Sequence, residues 1–396
     1  MALEQTWRWF GPSDPIALKE IKQTGATGIV TALHQIPVGE IWPVEEILKR
    51  KAIIAAEGLT WSVAESLTVH EDIKKRKGNY RRFLGNHAAS LRNLGQCGID
   101  TVCYNFMPIL DWSRTDLQVE FKDGSLTTRF ETKALAAFDL FILQRPQAEH
   151  SYNTGQIEQA RQLFTGLSES QKEKLKQTVL LGLPGSLQAY SLKELRTALR
   201  EYDGLGETEL RANLIAFVKE MAPVAEEAGV RLAIHPDDPP WPLLGLPCVV
   251  RDNADIEQVL QACDSHANGL TFCTGSLGAG RNNSLVEMAE NLAEKINFIH
   301  LRNVTCNPAG DFIEDNHLEG DVDMFGVMRA HVLEQKRRVV VGRKDHRMPM
   351  RPDHGHLMLL DQPRRDFYPG YSLLCRMRGL AELRGLALGI TRSLGI

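Results

Sequence analysis

The run Met350-Arg351-Pro352-Asp353-His354-Gly355-His356 sets one carboxylate and two imidazoles between residues that punctuate a chain. Asp is rarely buried without a partner. Neutral imidazole nitrogen ligates zinc, copper, iron or nickel, and carboxylate oxygen suits harder ions such as manganese. The run therefore fits a metal or proton-transfer site, with a solvated turn as the plainer reading. Three earlier residues share its setting: His235, Cys273 and His300 each end a short β-rich run. Two imidazoles, a thiolate and the Asp353 carboxylate form a plausible coordination sphere for a divalent transition metal. The thiolate argues against magnesium or calcium, whereas carboxylate with imidazole allows manganese, iron(II) or zinc. Taken singly, Cys273 reads as a buried thiol, and His235 and His300 as histidines satisfied by backbone.

Their positions follow from the elements that carry them. Apolar, β-rich runs at residues 5–10, 26–34, 59–66, 101–106, 230–235, 269–273, 296–302 and 349–352 predict eight strands, with helical periodicity between most of them. Strand and helix alternating at this pace mean parallel strands with crossovers, and eight of each predict a single α/β domain over 1–396, a (β/α)8 barrel. In a barrel the C-terminal ends of the strands converge on one face. His235, Cys273, His300 and Asp353 would then meet at the ends of strands five to eight. His34 and Glu65, at early strand ends, become candidate substrate or supporting contacts, and Asn105 and Asp111 lie near the exit of strand four. The stretch Thr274–Gly278 reads as flexible. His87 falls on the apolar face of a helix, as a core or rim histidine. His70, His150, His266, His317, His331 and His346 fall in loops or helix ends and read as surface or unassigned. Tyr368 and Tyr371, in a Pro/Gly turn, read on their own as rim or interface residues.

The alternation breaks after Trp112. Residues 119–127 predict a hairpin with an Asp-Gly turn, and charged helices follow near 131–144 and 155–179. Residues 113–205 are therefore read as an insertion in the loop after strand four, acting as a lid or an oligomer contact and too poor in apolar residues to stand alone.

Composition narrows the class. The chain of 396 residues is 43% hydrophobic and 24% charged with a formal net charge of −4, an ordinary globular balance that gives no reason to expect nucleic acid. No run approaches a membrane span and the start shows no targeting pattern, so a cytoplasmic protein without a membrane partner is expected. The seven cysteines form no CxxC pair, as befits reduced thiols.

The runs QTWRWFGPSDP, TGIVTALHQIP, TVCYNFMPILDW, HPDDPP with GLP soon after, CTGSLG, HLEGDVDM, RPDHGH and PGYSLL, in this order over nearly the whole chain, resemble the mannonate dehydratase family of hexuronate (glucuronate) degradation. The resemblance implies a xylose-isomerase-like barrel that dehydrates D-mannonate to 2-dehydro-3-deoxy-D-gluconate and water with Fe(II) or Mn(II), and a homo-oligomer such as a dimer. It places the metal ligands on His235, Cys273, His300 and Asp353, and the acid/base pair on His354 and Tyr371, without saying which is acid and which base. Arg8 and Arg302 are candidates to hold the substrate carboxylate, with Trp9 and His34 beside them. The chain departs from the family pattern at Ile313, where a histidine is expected. A sugar isomerase or epimerase, or a non-catalytic sugar-acid binder, would use the same rim.

Overall fold

The computed structural model describes residues 3–181, 190–364 and 366–395. Twelve strands are found among them: β1 (Glu4–Arg8), β2 (Gly28–Thr31), β3 (Thr60–Glu65), β4 (Thr101–Tyr104), β5 (Asp116–Glu120), β6 (Leu126–Phe130), β7 (Arg231–Ile234), β8 (Leu270–Cys273), β9 (Ile296–Leu301), β10 (Asn303–Cys306), β11 (Phe312–Asp315) and β12 (Pro349–Pro352). Eight of these close a parallel barrel in the order β1-β12-β9-β8-β7-β4-β3-β2. All eight expected staves are present, including the short last one, Pro349–Pro352. Helices cross between them as expected. Val44–Ala56, for example, starts after Pro43 and stops before Gly58, whose φ of 73° suits a residue without a Cβ.

Along a strand, alternate side chains point inward. Val30, Val63, Cys103, Ala233 and Phe298 meet as an apolar plug inside the barrel. Two residues beyond four of these members stand Ala32, Glu65, His235 and His300. The same parity puts Arg8, Cys273 and Asp353 on the inner rim.

A second sheet lies outside the barrel. The expected hairpin is β5 and β6, and it is joined by a second hairpin, β10 and β11, in the antiparallel order β10-β11-β6-β5. The β10–β11 pair was not read from the sequence: it follows β9 after a single residue, and its mixed polar pattern lacks a clean alternation. Between β4 and β7 come the helices Thr132–Ala137, Thr154–Gly166, Glu169–Leu180 and Leu192–Arg200, of which Glu169–Leu180 packs on β5 and Thr154–Gly166 packs on Thr132–Ala137. Their apolar side chains join Leu243, Leu244 and Leu246 after β7, with Val304 and Phe312, in a second core. Phe130 and Phe312 stack across β6 and β11 at 5.7 Å. This core is therefore completed by residues on both sides of β7.

Three local expectations are corrected. The helix read over 155–179 is two, because Ser168 caps a fresh start by accepting from the Gln171 N–H while Gln171 returns a bond to the Ser168 N–H. The stretch read as flexible, Thr274–Gly278, lies in a short helix, Thr274–Ala279, that is largely buried. The Thr274 hydroxyl donates to Arg302 O at 2.6 Å and accepts from Arg302 N at 2.8 Å, tying this helix to the end of β9. A long last helix, Leu374–Ser393, not assigned from the sequence, supplies the helix after β12.

Candidate active site and metal centre

At the mouth of the barrel His235, Cys273 and His300 converge, with one ligand atom from each lying within 4.8 Å of the others. Strand register brings this about, since Cys273 on β8 is paired directly with His300 on β9. His235 follows β7, and its Nδ1 lies 2.6 Å from Pro236 O. A carbonyl only accepts, so Nδ1 carries the proton and Nε2 is left with a lone pair for a ligand. His300 is fully buried, and neither ring nitrogen has a hydrogen-bond partner among the described residues. Its nearest acidic neighbours are Glu65 Oε2 at 3.5 Å and Asp353 Oδ1 at 3.9 Å. Unpartnered nitrogens in a dry interior are costly, and a cation bound there would satisfy them.

Asp353 stands at the edge of the trio. Its Oδ2 is 3.7 Å from Cys273 Sγ, and Arg351 Nη1 holds its Oδ1 at 2.6 Å. Burial pushes this carboxyl up, but Arg351, with His354 and Arg302, reverses the effect and holds it well below the usual carboxylate range. Arg351 also forks onto Glu65, at 2.9 and 3.2 Å. Arg351 is two residues before Asp353 on the same face of β12, so it spans the barrel interior between β12 and β3. The trio, an ionised carboxylate and their buried setting suit a divalent transition metal.

Beside the trio and Asp353 lies a second cluster. His354 Nδ1 is 2.8 and 2.9 Å from the two Glu314 oxygens, and its Nε2 is 3.9 Å from Asp353 Oδ1. The Tyr371 ring meets the His354 ring edge-on at 5.0 Å. Burial pushes the Tyr371 phenol up to about 12. The ring is close because the backbone turns at Gly370, where φ is 80° and a Cβ would come within 3.0 Å of His354 Cγ. His354 and Tyr371 thus stand side by side near Asp353.

The other expected contacts divide. Arg8 and His34 line a cavity of about 370 Å³ with Lys74, Asp111 and Tyr190, a size ordinary for a small-ligand cleft. Arg8 donates to Glu65 O, and its Nη2 is 3.5 Å from His34 Nε2. Burial, with Arg8 and Arg50, lowers the His34 imidazole to about 3. Trp9, one residue on from Arg8, points the other way: it belongs to the main core, with the Arg50 guanidinium 5.5 Å over its ring. That is a packing position. Arg302 is likewise turned to the protein's own acids, Asp238 Oδ2 at 2.6 Å and Glu314 Oε1 at 3.2 Å, while its Nε, 3.5 Å from Asp353 Oδ2, has no hydrogen-bond partner among the described residues.

Residues the sequence reading missed surround these. Arg114 is fully buried between Asp238, at 2.9 and 3.3 Å, and Glu314, at 2.6 and 3.1 Å. Burial raises the Glu314 carboxyl, and His354, Arg302 and Arg114 together pull it well below the ordinary range. Two histidines read as surface or unassigned, His317 and His331, are buried and lowered to about 3 by that burial. His70 caps a helix by accepting from Asp72 N, and His87 is buried as read.

The sequence profile of the D-mannonate dehydratase (UxuA) family matches residues 3–394. The chain belongs to the D-mannonate dehydratase family. Within that family it is 52% identical to a mannonate dehydratase of Marinomonas sp. (strain MWYL1) over 397 aligned residues, 99% of this chain and 100% of the relative. It is 53% identical to one of Chromohalobacter salexigens, over 98% of this chain and 99% of that one. Among solved structures, the mannonate dehydratase of Streptococcus suis serotype 2 superposes with a TM-score of 0.78 at 34% identity, covering 100% of this chain and 95% of the other. Among the described residues no helix is long and apolar enough to cross a membrane.

Proposed function

We propose that the protein removes water from D-mannonate to give 2-dehydro-3-deoxy-D-gluconate, with His235, Cys273, His300 and Asp353 holding iron(II) or manganese(II). The observation that carries this reading is the meeting of the His235–Cys273–His300 trio with the His354–Tyr371 pair at one barrel mouth. Family membership supplies the substrate. A divalent cation in this site would polarise substrate oxygens as a Lewis acid, which a carboxylate substrate needs because it activates its neighbouring C–H poorly.

The chain's own residues move the protons. His354 takes the proton from the carbon beside the carboxylate at Nε2. Tyr371 gives its phenolic proton to the hydroxyl leaving the next carbon, a role supported by its place edge-on to the His354 ring. The enol that results becomes the keto product. Arg8 and His34 line the adjoining cavity and bind the polar length of the sugar acid. Residues 113–205, with β10 and β11, act as a lid that keeps bulk water from the site.

The test is incubation of the protein with D-mannonate and manganese(II) or iron(II), with and without chelator, followed by assay for a 2-keto-3-deoxy acid. Metal-dependent appearance of that acid is expected. Binding of D-mannonate without its consumption, or an isomerised sugar acid in its place, would refute the reading.

A further inference from the structure

Glu314 reaches the site from outside the barrel, on β11, and two guanidinium groups and one imidazole converge on it. Its oxygens take Arg114 Nη2 at 2.6 Å and Nε at 3.1 Å and Arg302 Nη1 at 3.2 Å, and both face His354 Nδ1. Its backbone carbonyl accepts from Thr127 Oγ1 and from His356 Nε2, each at 3.0 Å. The carboxylate is thereby fixed from both ends.

His354 Nδ1 also lies 2.9 Å from Arg302 Nη1. A guanidinium can only donate and a carboxylate only accept, while one ring nitrogen can donate or accept but not both. Arg302 Nη1 has two N–H groups and a Glu314 oxygen for one of them, whereas a bare Nδ1 would set its lone pair against two carboxylate oxygens at 2.8 and 2.9 Å. The proton therefore sits on Nδ1 and points at Glu314. We infer that Glu314 is a positioning residue that locks His354 in the Nδ1–H tautomer and turns the Nε2 lone pair toward the substrate. The inference rests on His354 as proton acceptor.

The substitution Glu314→Gln tests it sharply. Arg114 and Arg302 both donate, so the single amide oxygen turns to them and the NH2 group faces Nδ1. His354 must then accept at Nδ1 and carry its proton on Nε2, the wrong side for abstraction. In the zinc-loaded, diamagnetic protein, ¹⁵N shifts of the labelled His354 ring should report Nδ1–H in the unaltered chain and Nε2–H in E314Q. With manganese(II), kcat should fall roughly 10⁴-fold, the size known for a wrong tautomer, with KM within about threefold and metal content unchanged. Glu314→Asp keeps the charge for both arginines but withdraws the oxygens by one methylene. Should E314Q fold poorly, this variant is expected to lose the tautomer preference with the thermal midpoint retained. An unchanged His354 tautomer in the variants, or a loss confined to KM or metal content, overturns the role of Glu314. Failure of the unaltered chain to form the keto acid sinks the dehydratase reading instead, and the ring shifts still decide the positioning claim.

Discussion

His235, Cys273 and His300 ride on adjacent staves of the barrel, whereas His354 and Tyr371 sit on irregular chain after β12 and are steadied by residues of the outer sheet. The first group needs only strand register: once β8 and β9 pair with Cys273 opposite His300, their side chains must share the inner rim. The second group needs long-range ion pairs. Glu314 comes from β11, Arg114 from the chain just before β5, and Asp238 from the loop after β7. The difference suggests a division of labour in which a rigid barrel supplies the metal site and a charge-stitched clamp orients proton transfer.

That division is tested most severely at the metal ligands. Cys273→Ala or His300→Ala removes a donor from the trio without touching the clamp. Metal content, measured by elemental analysis, is expected to fall from about one ion per chain toward zero. The value of kcat/KM should drop by on the order of 10⁴-fold, while the fold persists by circular dichroism. Retained metal and activity in both variants would erase the comparison.

His354→Ala should do the opposite: metal is kept and kcat falls by roughly 10²- to 10⁴-fold, the usual worth of a positioned acid or base. Tyr371→Phe removes only the hydroxyl and should fall in the same range. Rates like those of the unaltered chain in either variant would take that residue out of the mechanism.

The same contrast explains what could be read from the sequence. The staves and the meeting of His235, Cys273 and His300 were legible, because strand ends are marked by turn residues and parity puts the last inward residue on the rim. Even Arg351 was within reach, two residues before Asp353 on the same face. Glu314 was not. β11 has no periodic signature, and nothing local says that Glu314 will be buried against Arg114, 200 positions away in the chain. The surroundings of Trp9 and Arg302 were hidden for related reasons: parity turns Trp9 into the helical layer, and the acids that face Arg302 come from distant loops. Ile313, where a histidine was expected, pairs with Arg129 and Thr305 in the outer sheet, and its β-branched side chain suits that place.

Acid should loosen the clamp. Burial raises the Asp238 carboxyl, but Arg114 and Arg302 outweigh it and lower the group from 3.8 to about 2. A carboxyl depressed on folding stabilises the protein above its unfolded value and loses that contribution as pH falls through the folded one. The window is therefore about pH 4 to 2, and the contribution is about 2 kcal/mol. Thermal midpoints measured at falling pH should drop through this window, and Asp238→Asn should be less stable at neutral pH but flatter in acid. A parallel decline of the two proteins would show that these ion pairs do not hold the clamp.

The smallest effect expected lies where the outer sheet is fastened to the site. His356 points away from His354, donating from Nε2 to Glu314 O at 3.0 Å, while its Nδ1 meets Ser125 Oγ at 2.9 Å in the β5–β6 turn. Phe121 closes over the same ring at 4.7 Å. Ser125→Ala leaves Nδ1 buried and unpartnered, a loss of about 1 kcal/mol. Because the barrel staves share no bond with Ser125, the loss should be local: amide exchange should quicken across residues 116–130 and leave β8 and β9 unchanged. Equal quickening in β8 and β9 would mean that barrel and clamp open together, and the two regions would then be one cooperative unit.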